Sequence, residues 1–371
     1  MKILMTCLSK SWGGMEMQVI NTAVQLLESG HEIDLLLIDN SKLYLEARKN
    51  RINTITVDTF KYFSLIQIIK LRSVLSQKNY NIIHTHFSKD LWLLTPVLRW
   101  FGFNTPVILT KHVGSFINKK DTLHRYIYSR LDLALAISKV IKKNLEDTTP
   151  LKSNQIELLY SGIDDEKFNP EKVAKNKLRK EYKLSEEQIL IGIAGRFSPG
   201  KGHEEFINAC EILVGKYKNL KFIVIGESSY GESKYGKKIA DMPAALGIED
   251  NFIFTGFRED MPEVFNSLDI FVFPSHAEAF GLTLVEAMCM GLPSVCTASD
   301  GILDIAIDNE TSFLFERENY VELSQKIELL IHSKELREKL AINARQRVLS
   351  MFTKKIYIEN LISLYKRFIP E

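Results

Sequence analysis

The feature that most limits how this chain can fold is an alternation, kept along nearly its whole length, of short apolar runs with amphipathic helical stretches. In the first half the runs are KILMTCL (2–8), EIDLLLI (32–38), NTITV (53–57), NIIHTH (81–86), PVILT (106–110) and LDLALAI (131–137). In the second half they are ILIGIAG (189–195), KFIVIG (221–226), NFIFTG (251–256), LDIFVFP (268–274) and PSVCT (293–297). Strands that are apolar on both faces belong to parallel sheets covered by helices on both sides. Two such series predict an α/β protein of two doubly wound, Rossmann-like domains. The polar stretch 161–188 joins them and holds a helix, KVAKNKLRKEY (172–182), but no strand. Open parallel sheets bind ligands at the carboxyl ends of their strands, so the cleft between the domains is the expected site.

Bulk properties narrow the class. At 371 residues the chain has ample material for two or three cores. Its four cysteines, Cys7, Cys210, Cys289 and Cys296, are scattered through apolar runs. They read as small core residues of a reduced, cytoplasmic protein, not as a disulfide or zinc framework. The opening MKILMTCLSKSWGG has too brief an apolar run for a signal peptide. The most apolar stretch, LWLLTPVLRWFGF (91–103), is broken by Pro96 and Arg99, so no membrane span is expected. Net charge is only +2, yet residues 61–130 hold eleven Lys and Arg against Asp90 and Asp121, a local balance of +9.

Two stretches carry most of the chemistry. GRFSPGKG (195–202) follows a strand and precedes the helix HEEFINACEIL. Its glycines and Pro199 make a tight loop, and Arg196 and Lys201 bring two cations to the strand's carboxyl end. The unpaired N–H groups of a helix start lie beside them. Arg forks onto two phosphate oxygens and Lys supplies a point charge, a combination suited to a diphosphate. The plainer reading is a surface turn with solvated cations. In SHAEAFGLTLVEAM (275–288) two carboxylates stand eight positions apart in apolar sequence. Glu278 falls on a loop after Pro274. Glu286 falls in the second turn of a helix starting near Leu282, with Leu282 and Met290 on its face and Thr283 its only polar neighbour. That is not a solvated face. A structural ion pair is one explanation; a carboxylate accepting hydrogen bonds from a ribose diol is the other. The backbone N–H groups of Ala279–Leu282 can meet negative charge beside it.

Weaker signals lie in the first half. In WGGMEMQ (12–18), Gly13 and Gly14 allow close backbone approach to a ligand, although a plain strand-to-helix turn looks the same. His84 and His86 share one side of a strand end, and His112 follows the next strand. Three imidazoles can ligate zinc, but no HExxH or carboxylate context supports that here. A polar lining role fits better, with His112 as the best candidate for touching a sugar.

With GRFSPGKG, VIG (224–226), FTGF (254–257) and PSHAEAFGLTLVEAMCMGLPSV (274–295) in view, the chain resembles the retaining glycosyltransferases of family 4 over nearly its full length. The last stretch is similar to that family's E-x7-E signature. The resemblance implies a GT-B fold, two facing Rossmann-like domains with a cleft between them. It implies domains at 1–165 and 166–353, with the terminal helix KIYIENLISLYKRF (355–368) crossing back so that 354–371 joins the first. It also implies site roles. Gly13 and Gly14 close on the donor diphosphate, His112 lies beside the donor sugar, and Arg196 and Lys201 grip the phosphates. Glu278 contacts sugar hydroxyls, while the backbone at Phe280, Gly281 and Leu282 supports sugar and phosphate. Glu286 holds the ribose, and Phe257 and Gly226 frame the nucleotide. Ala279 stands where the family has glycine, and Ser299-Asp300-Gly301 replaces a glycine pair, so the sugar pocket departs from the pattern.

The implied reaction moves a sugar from a UDP- or GDP-sugar to an acceptor hydroxyl with retention, without metal or cofactor. No D-x-D pair is present to hold a metal. The basic segment of the first half interleaves cations with aromatics, as in FINKKDTLHRYIYSR (116–130) and VLRWFGF (97–103). Such a surface suits an anionic lipid face and a lipid-linked or lipopolysaccharide-type acceptor, with the protein peripheral at the inner membrane; a solvated basic face is the plainer reading. No nucleic-acid reading module is present. Two other functions fit the same fold: a nucleotide-sugar 2-epimerase, and a non-enzymatic binding protein for sugar or nucleotide.

Overall fold

The computed structural model describes residues 1–58, 64–228 and 231–369. The chain divides into two compact units, Met1–Gly162 with Lys354–Glu371, and Ile163–Thr353. The sequence-based boundary at 165/166 and this one fall in the same polar stretch.

The first unit is built on seven parallel strands: β1 (Lys2–Cys7), β2 (Glu32–Ile38), β3 (Asn53–Val57), β4 (Ile82–Thr85), β5 (Val107–Lys111), β6 (Leu133–Ala136) and β7 (Ile156–Leu158). Their order in the sheet is β3-β2-β1-β4-β5-β6-β7. The second unit has six: β8 (Ile189–Ala194), β9 (Leu220–Ile225), β10 (Phe252–Gly256), β11 (Ile270–Phe273), β12 (Ser294–Thr297) and β13 (Phe313–Phe315), ordered β10-β9-β8-β11-β12-β13. The apolar runs read from sequence coincide with these strands to within a few residues. β7 and β13 are the exceptions. Each is a three-residue edge strand, too short to leave an apolar run. The helix expected over 172–182 is confined to Lys177–Glu181, because Asn176 takes a left-handed conformation (φ 59°) that breaks it.

Central strands are buried on both faces, as parallel sheets require. In the first unit Ile3, Met5, Leu35 and Leu37 pack against Val19 and Leu26 of the helix Gly14–Glu28. The terminal helix, Lys354–Lys366, completes that core with Tyr357, Ile358, Leu361 and Tyr365. Tyr365 is wholly buried, and its Oη meets His84 Nδ1 at 2.5 Å. Tyr357 Oη meets Thr22 Oγ1 at 3.2 Å. All four cysteines are buried and unpaired. Within the second unit, Ile163 donates its N–H to Phe352 O at 2.9 Å, so the strands entering and leaving that unit run side by side.

The Tyr365–His84 contact lets packing be separated from hydrogen bonding. Tyr365→Phe keeps the ring but leaves a buried imidazole nitrogen unpaired, and is expected to cost about 1–3 kcal/mol in urea denaturation of the first unit. Tyr365→Ala also opens a cavity and is expected to cost about 3–5 kcal/mol. Equal losses in both variants would assign the whole effect to the hydroxyl.

Candidate functional site

Each sheet has one place where strand order reverses: between β1 and β4 in the first unit, and between β8 and β11 in the second. Chain leaving neighbouring strands at such a point turns to opposite faces, and the opening left at the carboxyl ends is where this architecture takes ligands. In the second unit the two loops are 195–202 and 274–281, the two stretches singled out by their composition.

Glycines decide how closely these loops meet. Gly202 has φ +77°, and a Cβ there would stand 2.2 Å from Pro274 O. His276 N–H reaches Gly200 O at 2.9 Å, fastening the loops a second time. Gly226, after β9, has φ +131°, and a Cβ there would lie 2.0 Å from Gly195 O. Gly301 N–H donates to Glu278 O at 3.0 Å, and a Cβ on Gly301 would press on Ala279 O at 2.6 Å. Only glycine fits these approaches without backbone movement.

This packing brings Lys201 and Glu278 together: Nζ and Oε1 are 2.5 Å apart, both side chains largely buried. Arg196 is exposed on the same loop. The helices His203–Val214 and Leu282–Cys289 start from Gly202 and Gly281, both left-handed, and neither has a side-chain cap. Six other helices are capped by Ser41, Ser64, Asp121, Ser138, Asn319 and Ser333. Two uncapped helix starts thus lie beside Arg196 and the Lys201–Glu278 pair, with Glu204 and Glu205 in the first turn of His203–Val214. Phe280 is buried edge-on against Phe352 at 5.7 Å, so its ring is an anchor of the loop. Phe257, beyond β10, is 66% exposed.

Glu286 lies in the second turn of Leu282–Cys289, mostly enclosed by protein. Burial pushes its carboxyl up to about 7, opposed by the charge of Lys167. No hydrogen bond or ion pair satisfies that carboxyl among the described residues. The structural ion pair weighed from sequence is therefore not what holds it.

In the first unit, Gly13 precedes the helix Gly14–Glu28, again with no side-chain cap, and its backbone is extended. Between β1 and β4 sits a carboxylate that composition did not single out. Asp90 is fully buried and accepts hydrogen bonds from Thr6 Oγ1 (2.7 Å), Thr85 Oγ1 (3.1 Å) and Leu8 N–H (3.2 Å). Burial nevertheless raises it to about 7. Its signal in sequence was an acid four residues past the apolar run NIIHTH (81–86), which looks like an ordinary helix start.

The three histidines pack together. His84 and His86 are 4.2 Å apart, and His86 Nδ1 meets His112 Nε2 at 3.1 Å. Burial holds His84 down at about 3 and His112 at about 4, with His86 also well below its usual range. They are neutral imidazoles. His84 uses both nitrogens on Tyr365 and Thr110, whereas His112 sits at the carboxyl end of β5. His276 was also missed: it reaches Glu205 Oε1 at 2.9 Å and bolsters the loop that carries Glu278.

Comparison with known proteins agrees with this geometry. Residues 12–167 match the family model described as Glycosyltransferase Family 4, and residues 174–347 that described as Glycosyl transferases group 1. The chain is 33% identical over 246 residues to the capsular polysaccharide biosynthesis glycosyltransferase CapM of Staphylococcus aureus, covering 64% of this chain and 62% of that protein. A glycosyltransferase from Rickettsia africae has the same fold, with a TM-score of 0.90 at 21% identity over 99% of this chain and 98% of that one. Anabaena HepE, solved in complex with UDP and glucose, superposes with a TM-score of 0.83 at 21% identity over 99% of both chains.

The burial of Glu286 has a measurable consequence. Its folded pKa stands above the ordinary 4.5, so its contribution to stability is full below 4.5 and is lost as pH rises through about 7. Glu286→Gln removes that titration. The variant is expected to gain on wild type between these pH values, by roughly 3 kcal/mol, and to keep that margin above them. Urea denaturation of both proteins across this range checks it.

Proposed function

Because the chain belongs to the family 4 type of glycosyltransferases with the GT-B fold, we propose that it transfers a sugar from a UDP- or GDP-sugar to an acceptor hydroxyl with retention, in cell-envelope glycan synthesis. The observation that carries this reading is the pair of glycine-locked loops in the second unit, which hold Lys201 on Glu278 beside two uncapped helix starts. The capsular polysaccharide role in the name of CapM supports the envelope assignment.

In this mechanism the ribose diol donates to Glu286, whose carboxyl lacks donors of its own. The diphosphate lies on Arg196, Lys201 and the N–H groups at the start of Leu282–Cys289, with Gly226 and Phe257 bordering the nucleotide. Glu278 takes sugar hydroxyls. The bond between the anomeric carbon and the diphosphate oxygen breaks, and the acceptor oxygen bonds to that carbon on the same face. The acceptor's proton passes to the leaving phosphate. Negative charge grows on that phosphate, so cations and helix dipoles aimed there act more strongly on the transition state than on the bound substrate. They supply the charge stabilisation that a metal gives in other enzymes.

Membrane contact belongs to the same reading. Val113, Phe116, Ile117 and Leu123 are exposed beside Lys120 and Arg125 in the first unit, a mixed apolar and basic surface suited to anionic lipid. Residues 61–63 of the basic segment lie outside the described residues. No described helix is long and apolar enough to cross a membrane.

Two measurements test the proposal. Nucleoside diphosphate release from UDP- and GDP-sugars, with candidate acceptors, is expected to fall about 100-fold or more in Lys201→Ala and Glu286→Gln. Release undiminished in both would remove these residues from the site. UDP binding near pH 7 is expected to expel protons, because hydroxyl donors favour the ionised Glu286. Calorimetry in buffers of different ionisation enthalpy reads this directly, and Glu286→Gln should abolish the release.

A further inference from the structure

At the carboxyl end of β5 in the first unit lies a group of cations that the donor chemistry does not use. Lys111, the last residue of β5, is only 9% exposed, and among the described residues its Nζ has a single partner, Ser88 Oγ at 3.3 Å. Lys119 is half-buried on the loop that follows, and Lys89 extends from the turn after β4 over the Phe87 ring. These ammonium groups act on one another: burial and the charge of Lys119 bring Lys111 down to about 8, and burial and Lys89 lower Lys119. No carboxylate forms an ion pair with Lys89, Lys111 or Lys119 among the described residues. Asp121 is taken by His124, and Asp90 faces Thr6, Leu8 and Thr85.

A buried ammonium is costly and a protein ordinarily relieves it with an acid; of the three, Lys111 is buried, Lys119 half-buried and Lys89 exposed. Here two hydroxyls stand where acids are expected. Ser88 is one. The other is Tyr128, 4% exposed, which faces Ser88 while its Oη makes no hydrogen bond of normal geometry among the described residues. Three ammonium groups and two hydroxyls, one of them an unpartnered buried donor, match an anion with several acceptor oxygens in tetrahedral array. A carboxylate offers fewer oxygens than this set of donors can fill.

We propose that Lys89, Lys111, Lys119, Ser88 and Tyr128 form a binding site for a phosphate group carried by the acceptor. Its assignment to the acceptor rests on the glycosyl-transfer reading; the phosphate site itself does not. It belongs to the first unit alone and shares no residue with the Lys201–Glu278 corner. Bound phosphate supplies the counter-charge that the fold omits, and its ester oxygen orients the rest of the acceptor.

The test is titration with inorganic phosphate, followed by 31P NMR, on the full chain with UDP at saturation. Wild type and Lys218→Ala, an exposed lysine of the second unit outside both sites, are expected to bind phosphate alike, while Lys111→Met and Lys119→Gln weaken it about tenfold or more. Lys119 is only half-buried on a largely exposed loop, so Lys119→Gln keeps the test informative if Lys111→Met unfolds. A second arm uses vesicles with and without phosphatidic acid. Co-sedimentation that falls in the same two variants identifies the phosphate as a lipid headgroup; co-sedimentation unchanged beside weakened phosphate binding identifies a soluble phosphorylated acceptor. Wild-type affinity for both probes in both variants overturns the site. Failure of UDP to bind would refute the donor reading and leave the phosphate titration to be judged on its own result.

Discussion

The close approach of Gly202 to the carbonyl of Pro274 underlies the rest of the second unit's chemistry. No other residue tolerates both its left-handed backbone and a Cβ 2.2 Å from that oxygen. Because the loops after β8 and β11 touch there, Lys201 stands on Glu278 and two helices begin within one corner. Gly226 and Gly301 repeat the device on either side, against Gly195 and Ala279. The two loops are thus held by backbone contacts that side chains would prop apart.

The two units each bury a carboxylate near the point where strand order reverses, and the contrast between them is informative. Asp90 and Glu286 are both raised to about 7 by burial. Asp90 has three donor groups from β1, β4 and the loop between, so its cost is offset inside the fold and it ties two strands together. Glu286 has none among the described residues, and only the more distant charge of Lys167 favours its ionised form. Its side chain is only partly enclosed, and its oxygens are not among the buried polar atoms left without partners, so solvent reaches the carboxyl. An acceptor with no donor from the fold fits donors that arrive with a substrate, which is the role proposed for the ribose.

How much of this could be read in the sequence depended on whether a signal was local. The strands from β1 to β6 and β8 to β12 were legible because each is a continuous apolar run; β7 and β13, three residues each at the same relative edge of their sheets, were not. Glu286 was legible because a lone acid on an apolar helix face is anomalous within one turn. Asp90, Lys111 and His276 were not, since each draws its meaning from residues brought near only by the fold: Thr6, Ser88 and Glu205. The Lys172–Tyr182 stretch misled in the opposite way. Its helical composition is real, but Asn176 turns left-handed and leaves one short turn.

Helix starts show the same division between stability and function. A polar cap satisfies otherwise unpaired N–H groups and contributes about 1 kcal/mol. Six helices take that gain from serine, aspartate or asparagine, including Leu65–Gln77 and Lys334–Met351, far in sequence from the candidate residues. The helices Gly14–Glu28, His203–Val214 and Leu282–Cys289 forgo it and begin at glycines instead. A capping carboxylate there would cancel the positive end of the dipole, and a capping hydroxyl would occupy the N–H groups. Glycine gives up the cap and leaves the N–H groups without a side-chain partner, although Glu16 and the pair Glu204 and Glu205 place acids in the first turn of two of these helices. Of the three, only Leu282–Cys289 has neither a cap nor an acid in its first turn, which is why the proposed mechanism sets the diphosphate there.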